Sequence, residues 1–374
     1  MKFSKEAFEK PAKKHRPLIR WWWVGMAVEP EKLKQELMLM DESGFGGVEI
    51  QPFLFGGGAG HSNDKKHRMA PNPFYFDMLK VVCEEAAGRD LIVDVSAGSA
   101  WPPGGTHISK EHNLKTLLAG TEIVTGPQSI EMELPPIQLN AYYKYRKIMS
   151  SIMGGVQDDF SQYTDLFKPV ATVAVRPKRP SDRFNFFWPH ATPLEHSTAR
   201  DITDFVDQDG ILRWEVPDGK WQIFSFYGGP TGMKPMSVAK SDPEKVARVV
   251  DMLDRNAVDV FLDGLFGLTS GDFKSIRKYC GDTLRAIFTD SQEIADEWFW
   301  SEPFFESFKK LRGYDVKPFL PVCFVPNSDN QFLEVFFQNS KPCFEFKEDR
   351  IGERIRHDWL RRLIGTMEHT PAAG

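Results

Sequence analysis

Cysteine is scarce in this chain: four in 374 residues, at 83, 280, 323 and 343, with no CxxC and no neighbouring histidine group. That spacing offers neither a zinc site nor a disulfide framework. Excess positive charge is also missing. The formal net charge is −5, and the one basic run, Lys13-Lys14-His15-Arg16, is short, so nucleic acid is not an expected partner. No apolar run reaches membrane-spanning length. The opening Met1-Lys-Phe-Ser-Lys-Glu has charges without the apolar stretch of a signal peptide. Read as written, the chain is expected in the cytoplasm, or in the periplasm or medium if a leader precedes it. No His-x-His or His/Asp set falls at a strand end, which disfavours a metal-dependent amidohydrolase.

What is abundant is aromatic side chain: 13% of residues, including ten Trp and thirty Phe. Such a supply fits either a large core or surfaces that stack on sugars. With 26% charged and 41% hydrophobic residues the composition is that of an ordinary globular protein.

The organising stretch is Leu284-Arg-Ala-Ile-Phe-Thr-Asp-Ser-Gln-Glu293, a β-prone run that ends on two carboxylates, Asp290 and Glu293. A run of that length predicts a strand buried on both faces of a parallel sheet. Carboxylates just past a strand end, with Trp298 and Trp300 close by, suggest acid/base chemistry on a sugar-like ring. The structural alternative is that Asp290 and Glu293 cap the helix that follows.

Upstream, the order is strand 17–25, helix 29–43 closed by Gly44, strand 47–53, helix 73–89, strand 91–96 and a helix over 109–118 capped by Ser109. This β-α-β-α-β-α alternation implies a parallel sheet or barrel. The Gly-rich segment 56–64 lacks the spacing of a phosphate loop. Near Thr121 the period changes to two, and Pro217-Asp-Gly219 reads as a hairpin turn between strands 211–216 and 221–226. Residues 121–232 are therefore expected to form an inserted, mostly antiparallel β domain, with Trp188, Trp214 and Trp221 in its core. Residues 1–120 and 233–374 are then two portions of the α/β scaffold. The second opens on a helix predicted over 242–266, followed by the strand at 284, a helix over 303–311 and a long charged helix over 346–367.

Taken in order, Trp21-Trp-Trp-Val-Gly25, Gly46-Gly-Val-Glu-Ile50, Gly98-Ser-Ala-Trp-Pro102, Val216-Pro-Asp-Gly-Lys-Trp221, Asp290-Ser-Gln-Glu293 and Arg312-Gly-Tyr-Asp315 resemble the barrel-type α-L-rhamnosidase family of glycoside hydrolases. The resemblance implies a TIM-like (β/α)8 barrel, here apparently incomplete with about four β/α units and the β insertion. It implies removal of terminal deoxy-sugar residues from oligosaccharides or glycosides with inversion, by two carboxylates, with a calcium ion near the sugar.

Glu293 falls in the family's Asp-Ser-x-Glu motif, which makes it the candidate general acid, with Asp290 a ligand of a sugar hydroxyl or of calcium. Asp296, Glu297 and Glu302 are close enough to be alternatives. The general base has no match in these residues, so the chain resembles an N-terminal part that is inactive alone; self-association through an open barrel edge is expected. The competing reading is a non-catalytic carbohydrate-binding or scaffold protein. Trp101, on a Pro/Gly-stiffened loop, and one of Trp21–Trp23, represented by Trp22, are candidate sugar-stacking residues, since alternate strand residues point opposite ways. Glu49 lies inside an apolar strand and is either a ligand or bonded to a neighbour such as Arg20. His61, His67 and His107 lie on loops, where they contact substrate or are merely solvated; His107 is kept as a candidate.

Overall fold

The computed structural model describes residues 4–53, 72–98, 101–138, 163–179, 191–235, 247–267, 271–290, 298–324 and 342–369. After a short α1 (Lys5–Glu9), the elements alternate as expected: β1 (Leu18–Val24), α2 (Pro30–Glu42), β2 (Gly47–Phe53), α3 (Pro73–Gly88) and β3 (Ile92–Ser96). Local chemistry sets their ends. Pro30 occupies the first turn of α2, and Gly44 leaves it at φ +91°. Asn72 caps α3 by accepting from the Tyr75 amide at 3.0 Å.

These strands form one parallel sheet with β11 (Leu284–Phe288), in the order β1-β2-β3-β11. The pleat divides the side chains cleanly. Trp21, Trp23, Val48, Ile50, Val93, Val95 and Leu284 share one buried core with Leu33 and Leu37 of α2, Tyr75, Leu79 and Val82 of α3, and Phe261 and Leu265 of α4 (Arg255–Phe266). All three helices thus cover the same face. The opposite face carries Arg20, Trp22 and Val24 of β1, and Glu49, Gln51 and Phe53 of β2. Asp94 and Ser96 of β3 join them.

Between β3 and α4 stands an antiparallel sheet, β5-β9-β6-β8. β5 (Lys115–Glu133) and β9 (Ile211–Pro230) pair along nearly their whole lengths, and β6 (Lys168–Val175) and β8 (Arg200–Asp201) complete it. Short pairs flank the two sheets: β4 (Gly104–Gly105) with β10 (Arg248–Val249), and β7 (Thr192–Leu194) with β12 (Phe344–Phe346). Lower down, the sheet shares its core with the C-terminal elements. Phe224 and Phe226 pack with Trp298, Phe324, Phe344 and Phe346, with Phe304 and Phe308 of α6 (Phe304–Arg312) and with Trp359 of α7 (Ile351–His369). One glycine is required by this packing: a Cβ on Gly228 would overlap the Trp300 ring. The short α5 (Gly271–Lys274) precedes β11.

Five expectations change. No helix forms over 109–118. Ser109 Oγ accepts from the His112 amide in a local turn, but Lys115 already begins β5, because pairing with 227–230 and with Trp298 satisfies the backbone on both sides. The helix expected from 242 begins only at Arg255, capped by Asp254; Val249 and Val250 are extended and bonded to Leu114 and Pro103. Pro217-Asp-Gly219 is no hairpin turn. β9 runs straight through it, and the extra residues form a bulge where the register shifts between Gly126 and Gln128. The helix expected over 346–367 starts at Ile351, since 344–346 is strand. Finally, β11 is not buried on both faces: it is an outer strand, with Arg285 and Ile287 exposed. Trp188 and the segment 56–64, with His61 and the nearby His67, lie outside the described residues.

Candidate functional site

The face of the parallel sheet opposite the described helices gathers most of the predicted site. Charged residues sit in the middle of three apolar strands at matching register, Arg20 opposite Glu49 and Glu49 opposite Asp94. Arg285, at the irregularity in β11, completes the row by gripping Asp94, Nε to Oδ1 at 3.1 Å and Nη2 to Oδ2. Asp94 is buried, so this two-pronged ion pair meets the need of a carboxylate held away from water. The hydrogen bond to Asp94 holds the Arg285 guanidinium in its charged form more firmly than usual.

Arg20 is the hub. Its Nη1 donates to Asp290 Oδ2 at 2.8 Å and its Nη2 pairs with Glu49. The guanidinium lies over the Phe288 ring at 4.8 Å and the Trp22 ring at 5.6 Å. β1 and β11 are the outer strands of the sheet. In a flat sheet three steps of about 4.8 Å would hold them roughly 14 Å apart. The contacts of Arg20 with Phe288 and Asp290 therefore mean that this face is concave.

Toward the carboxyl ends of the strands the surface becomes aromatic. Trp22 meets Phe53 edge to face at 5.1 Å, and Phe53 stacks on Trp101 at 5.5 Å and 7° between planes. Trp22 is 46% exposed, whereas Trp21 and Trp23 turn into the helix-side core. The arrangement is a ring platform beside a charged row, suited to an apolar sugar face with hydroxyls around its rim.

His107 goes elsewhere. Its ring stacks on Phe261 at 5.8 Å, its Nε2 lies 3.1 Å from the Phe261 carbonyl, and Gly105 and Gly264 leave the room it fills. Burial pushes this imidazole below its ordinary value, against the pull of the Phe261 carbonyl and Asp263. The ring is wedged against α4, away from the charged row. Glu293, with Asp296 and Glu297, lies outside the described residues; Glu302 is exposed. The sequence names Arg20 only as a neighbour of Glu49, a pair the structure bears out, and singles out neither Asp94 nor Arg285. The signal was present, since each is a charge set inside an apolar run.

Fold and site together define an α/β protein with a concave, aromatic and acidic face at the carboxyl ends of parallel strands, the place where such sheets bind ligands. Residues 188–327, which include Asp290, match the model of the alpha-L-rhamnosidase family. A curated protein of Formosa agariphila, described as a "Putative beta-glucuronidase", is 24% identical over 316 residues, or 84% of this chain and 26% of that protein. The structure of a rhamnosidase from Novosphingobium sp. PP1Y superposes with a TM-score of 0.59 at 16% identity, covering 97% of this chain and 44% of that one; at that identity the likeness is one of fold. The chain is thus related to the α-L-rhamnosidase family of glycoside hydrolases, and it spans about a quarter of the curated relative and under half of the solved one.

Proposed function

We propose that the chain is part of an inverting glycoside hydrolase of the α-L-rhamnosidase type, contributing four β/α units of a barrel and one wall of its sugar pocket. The observation that carries this reading is the Arg20 hub, which fixes Asp290 on a concave strand-end face beside Trp22 and the Phe53–Trp101 stack. Among the described residues the helices against the parallel sheet lie on one face of a curled sheet, as a barrel wall requires, whereas a doubly wound sheet is covered on both. The antiparallel β domain over 121–232 is then an insertion in that barrel.

In this reading Asp290 binds a sugar hydroxyl, and its orientation is set by Arg20. Glu293, three residues on, protonates the leaving oxygen. A carboxylate from outside these residues activates water on the opposite side, about 6.5–9.5 Å from the acid. The described residues do not fit calcium. No three of His, Cys, Asp and Glu among them come together, and Asp290 and Glu49 both turn to one guanidinium. No step here runs through that ion.

A uronic acid is the weaker substrate. The face holds Glu49, Asp94 and Asp290 against Arg20 and Arg285, and both guanidinium groups are already engaged. A sugar carboxylate would add repulsion, so a neutral deoxy-sugar is the better occupant. The test compares aryl α-L-rhamnoside and aryl β-D-glucuronide as substrates of the natural protein that contains this chain, with and without Asp290→Asn. Rhamnoside cleavage with a raised KM in the variant is expected. Glucuronide turnover alone, or a variant indistinguishable from the parent, would overturn the reading.

A further inference from the structure

A second cleft lies on the antiparallel sheet. β6 pairs with β9 only over 222–228, so residues 126–133 of β5 and 211–216 of β9 continue beyond it as a two-stranded ribbon. The pleat gives the ribbon an apolar side, with Ile130, Trp214 and Val216 packed near Ile202 and Val206. Its other side is polar, with Ser129 opposite Glu215 and Glu131 opposite Arg213. At its margin Ser129, Glu131, Arg213, Trp214, Glu215 and Phe205 line a cleft of about 590 Å³, within the size range of small-ligand sites.

The walls are set in advance. Phe205 is 51% exposed, yet it sits on a pinned turn. Thr203 Oγ1 accepts from the Thr172 amide at 2.9 Å, the Thr203 amide donates to Asp201 at 2.9 Å, and the Phe205 amide donates to Ile202 at 3.1 Å. Arg213 is held between Glu131, at 3.0 Å, and Asp207, and Asp207 is itself fixed by the Asp209 and Ile211 amides. Ser129 Oγ donates to Glu215. Side chains already ordered lose little entropy when a ligand arrives.

We propose that this cleft is a carbohydrate-binding site, separate from the open face of the parallel sheet, that takes a neutral pyranose unit of a polysaccharide. Phe205 supplies the surface for the apolar face of the ring. Glu131, Glu215 and Arg213 supply acceptors and donors for its hydroxyls. Glu131, Glu215 and Asp207 against Arg213 leave the walls negative, which turns away uronates and sulfated sugars. The choice of a sugar over a cationic amine, which also suits acidic and aromatic walls, rests on the glycoside reading above. The site itself does not depend on catalysis.

Affinity electrophoresis of the chain through gels containing galactan, xyloglucan, arabinoxylan or dextran tests this. Slowed migration is expected in at least one gel. Phe205→Ala should weaken it by about tenfold, the loss typical of truncating an aromatic anchor, and Glu215→Gln should weaken it less. Asp290→Asn should leave it intact, even if the rhamnosidase reading fails. Slowing in no gel overturns the proposal, as does slowing unchanged in Phe205→Ala. Slowing lost in Asp290→Asn and kept in Phe205→Ala moves the binding to the other face and overturns it too. Spermine binding, measured by calorimetry and lost in Phe205→Ala, with no gel slowing the chain, would make the ligand an amine and reject the sugar.

Discussion

Arg20 and Asp290 stand 270 positions apart in sequence and meet at 2.8 Å, joining the two outer strands of the parallel sheet across the face opposite its described helices. Arg20 also neutralises Glu49. The pair therefore fixes the curl of the sheet and the position of the strand-end carboxylate together. Replacing Arg20 by Met should remove the positive charge it holds against both carboxylates. The cluster is about one-third exposed, the Arg20 side chain 34%, so solvent screens part of the effect; a loss of about 1–2 kcal/mol is expected. Urea denaturation checks it, and Arg20→Lys should recover only part, because lysine cannot reach both partners with a rigid fork.

Asp251 gives a pH dependence with a defined sign. It is fully buried, its Oδ1 accepts from the Leu253 amide at 3.1 Å, and Lys115 lies 3.9 Å away. Burial pushes its carboxyl up to about 7, against the opposing charge of Lys115. The folded protein thus holds this proton more tightly than the unfolded chain. The stability tied to it is full below the ordinary carboxylate value near 4 and is lost as pH rises through about 7. Asp251→Asn keeps the shape and removes the titration. At pH 8 the variant should be more stable than the parent, by on the order of 2–4 kcal/mol at most, and the two should converge below pH 4. Parallel stability curves across that range would refute the assignment.

Phe344 tests how the C-terminal segment is held. It is fully buried and meets Phe224 of the antiparallel sheet edge to face at 4.7 Å. Phe344→Ala should cost about 3–5 kcal/mol and loosen α6 and α7, seen as faster amide exchange in 304–312 and 351–361. A small cost with exchange unchanged would mean that these helices are held by other contacts.

The same residues explain what could be read from the sequence. β1 to β3 were legible because their apolar residues alternate between a helix-side core and a charged row, with helices of clear period between them. Lys115–Glu133 was not, because Leu114, Leu117 and Leu118 fall at helical spacing while their partners, 227–230 and Trp298, lie more than a hundred residues away. Val249, Val250 and Leu253 misled in the same way. Pro217-Asp-Gly219 carried a genuine turn signal, spent on a bulge. Of the site, Asp290, Glu49, Trp22 and Trp101 could be picked out as strand-end or misplaced polar and aromatic residues. Of their joining through Arg20, the pair with Glu49 was legible; the reach to Asp290 was not, since nothing local reports how far a sheet curls.

For the proposed acid, the expected outcome concerns leaving groups. In the natural protein containing this chain, Glu293→Gln should depress hydrolysis of rhamnosides with poor leaving groups far more than that of nitrophenyl rhamnosides. An activated leaving group departs without a proton, whereas an alkyl or sugar oxygen needs one. Equal loss on both would assign Glu293 another role.

Self-association of residues 1–374 is the expected outcome of the exposed outer strands. β1 and β11 are the outer strands of their sheet, and Trp22, Val24 and Ile287 beside them are 46%, 53% and 50% exposed. Outer strands of a parallel sheet offer unpaired backbone groups to any second chain. Each large apolar side chain buried there would contribute up to about 1.5–3 kcal/mol, although half of that surface is already covered in the monomer. An edge contact through β1 would cover Trp22 and Val24, and one through β11 would cover Ile287, each with new strand pairing. The charged row opposes a face-to-face dimer, because two copies would bring like carboxylates together; edge-to-edge contact through β1 or β11 is the expected geometry. Light scattering after gel filtration should show mass rising with concentration. Val24→Lys with Ile287→Lys should return the chain to a monomer without loss of folded signal, because both side chains already face water. A monomer at every concentration would show that the edges are protected, and a double variant that still associates would place the contact elsewhere.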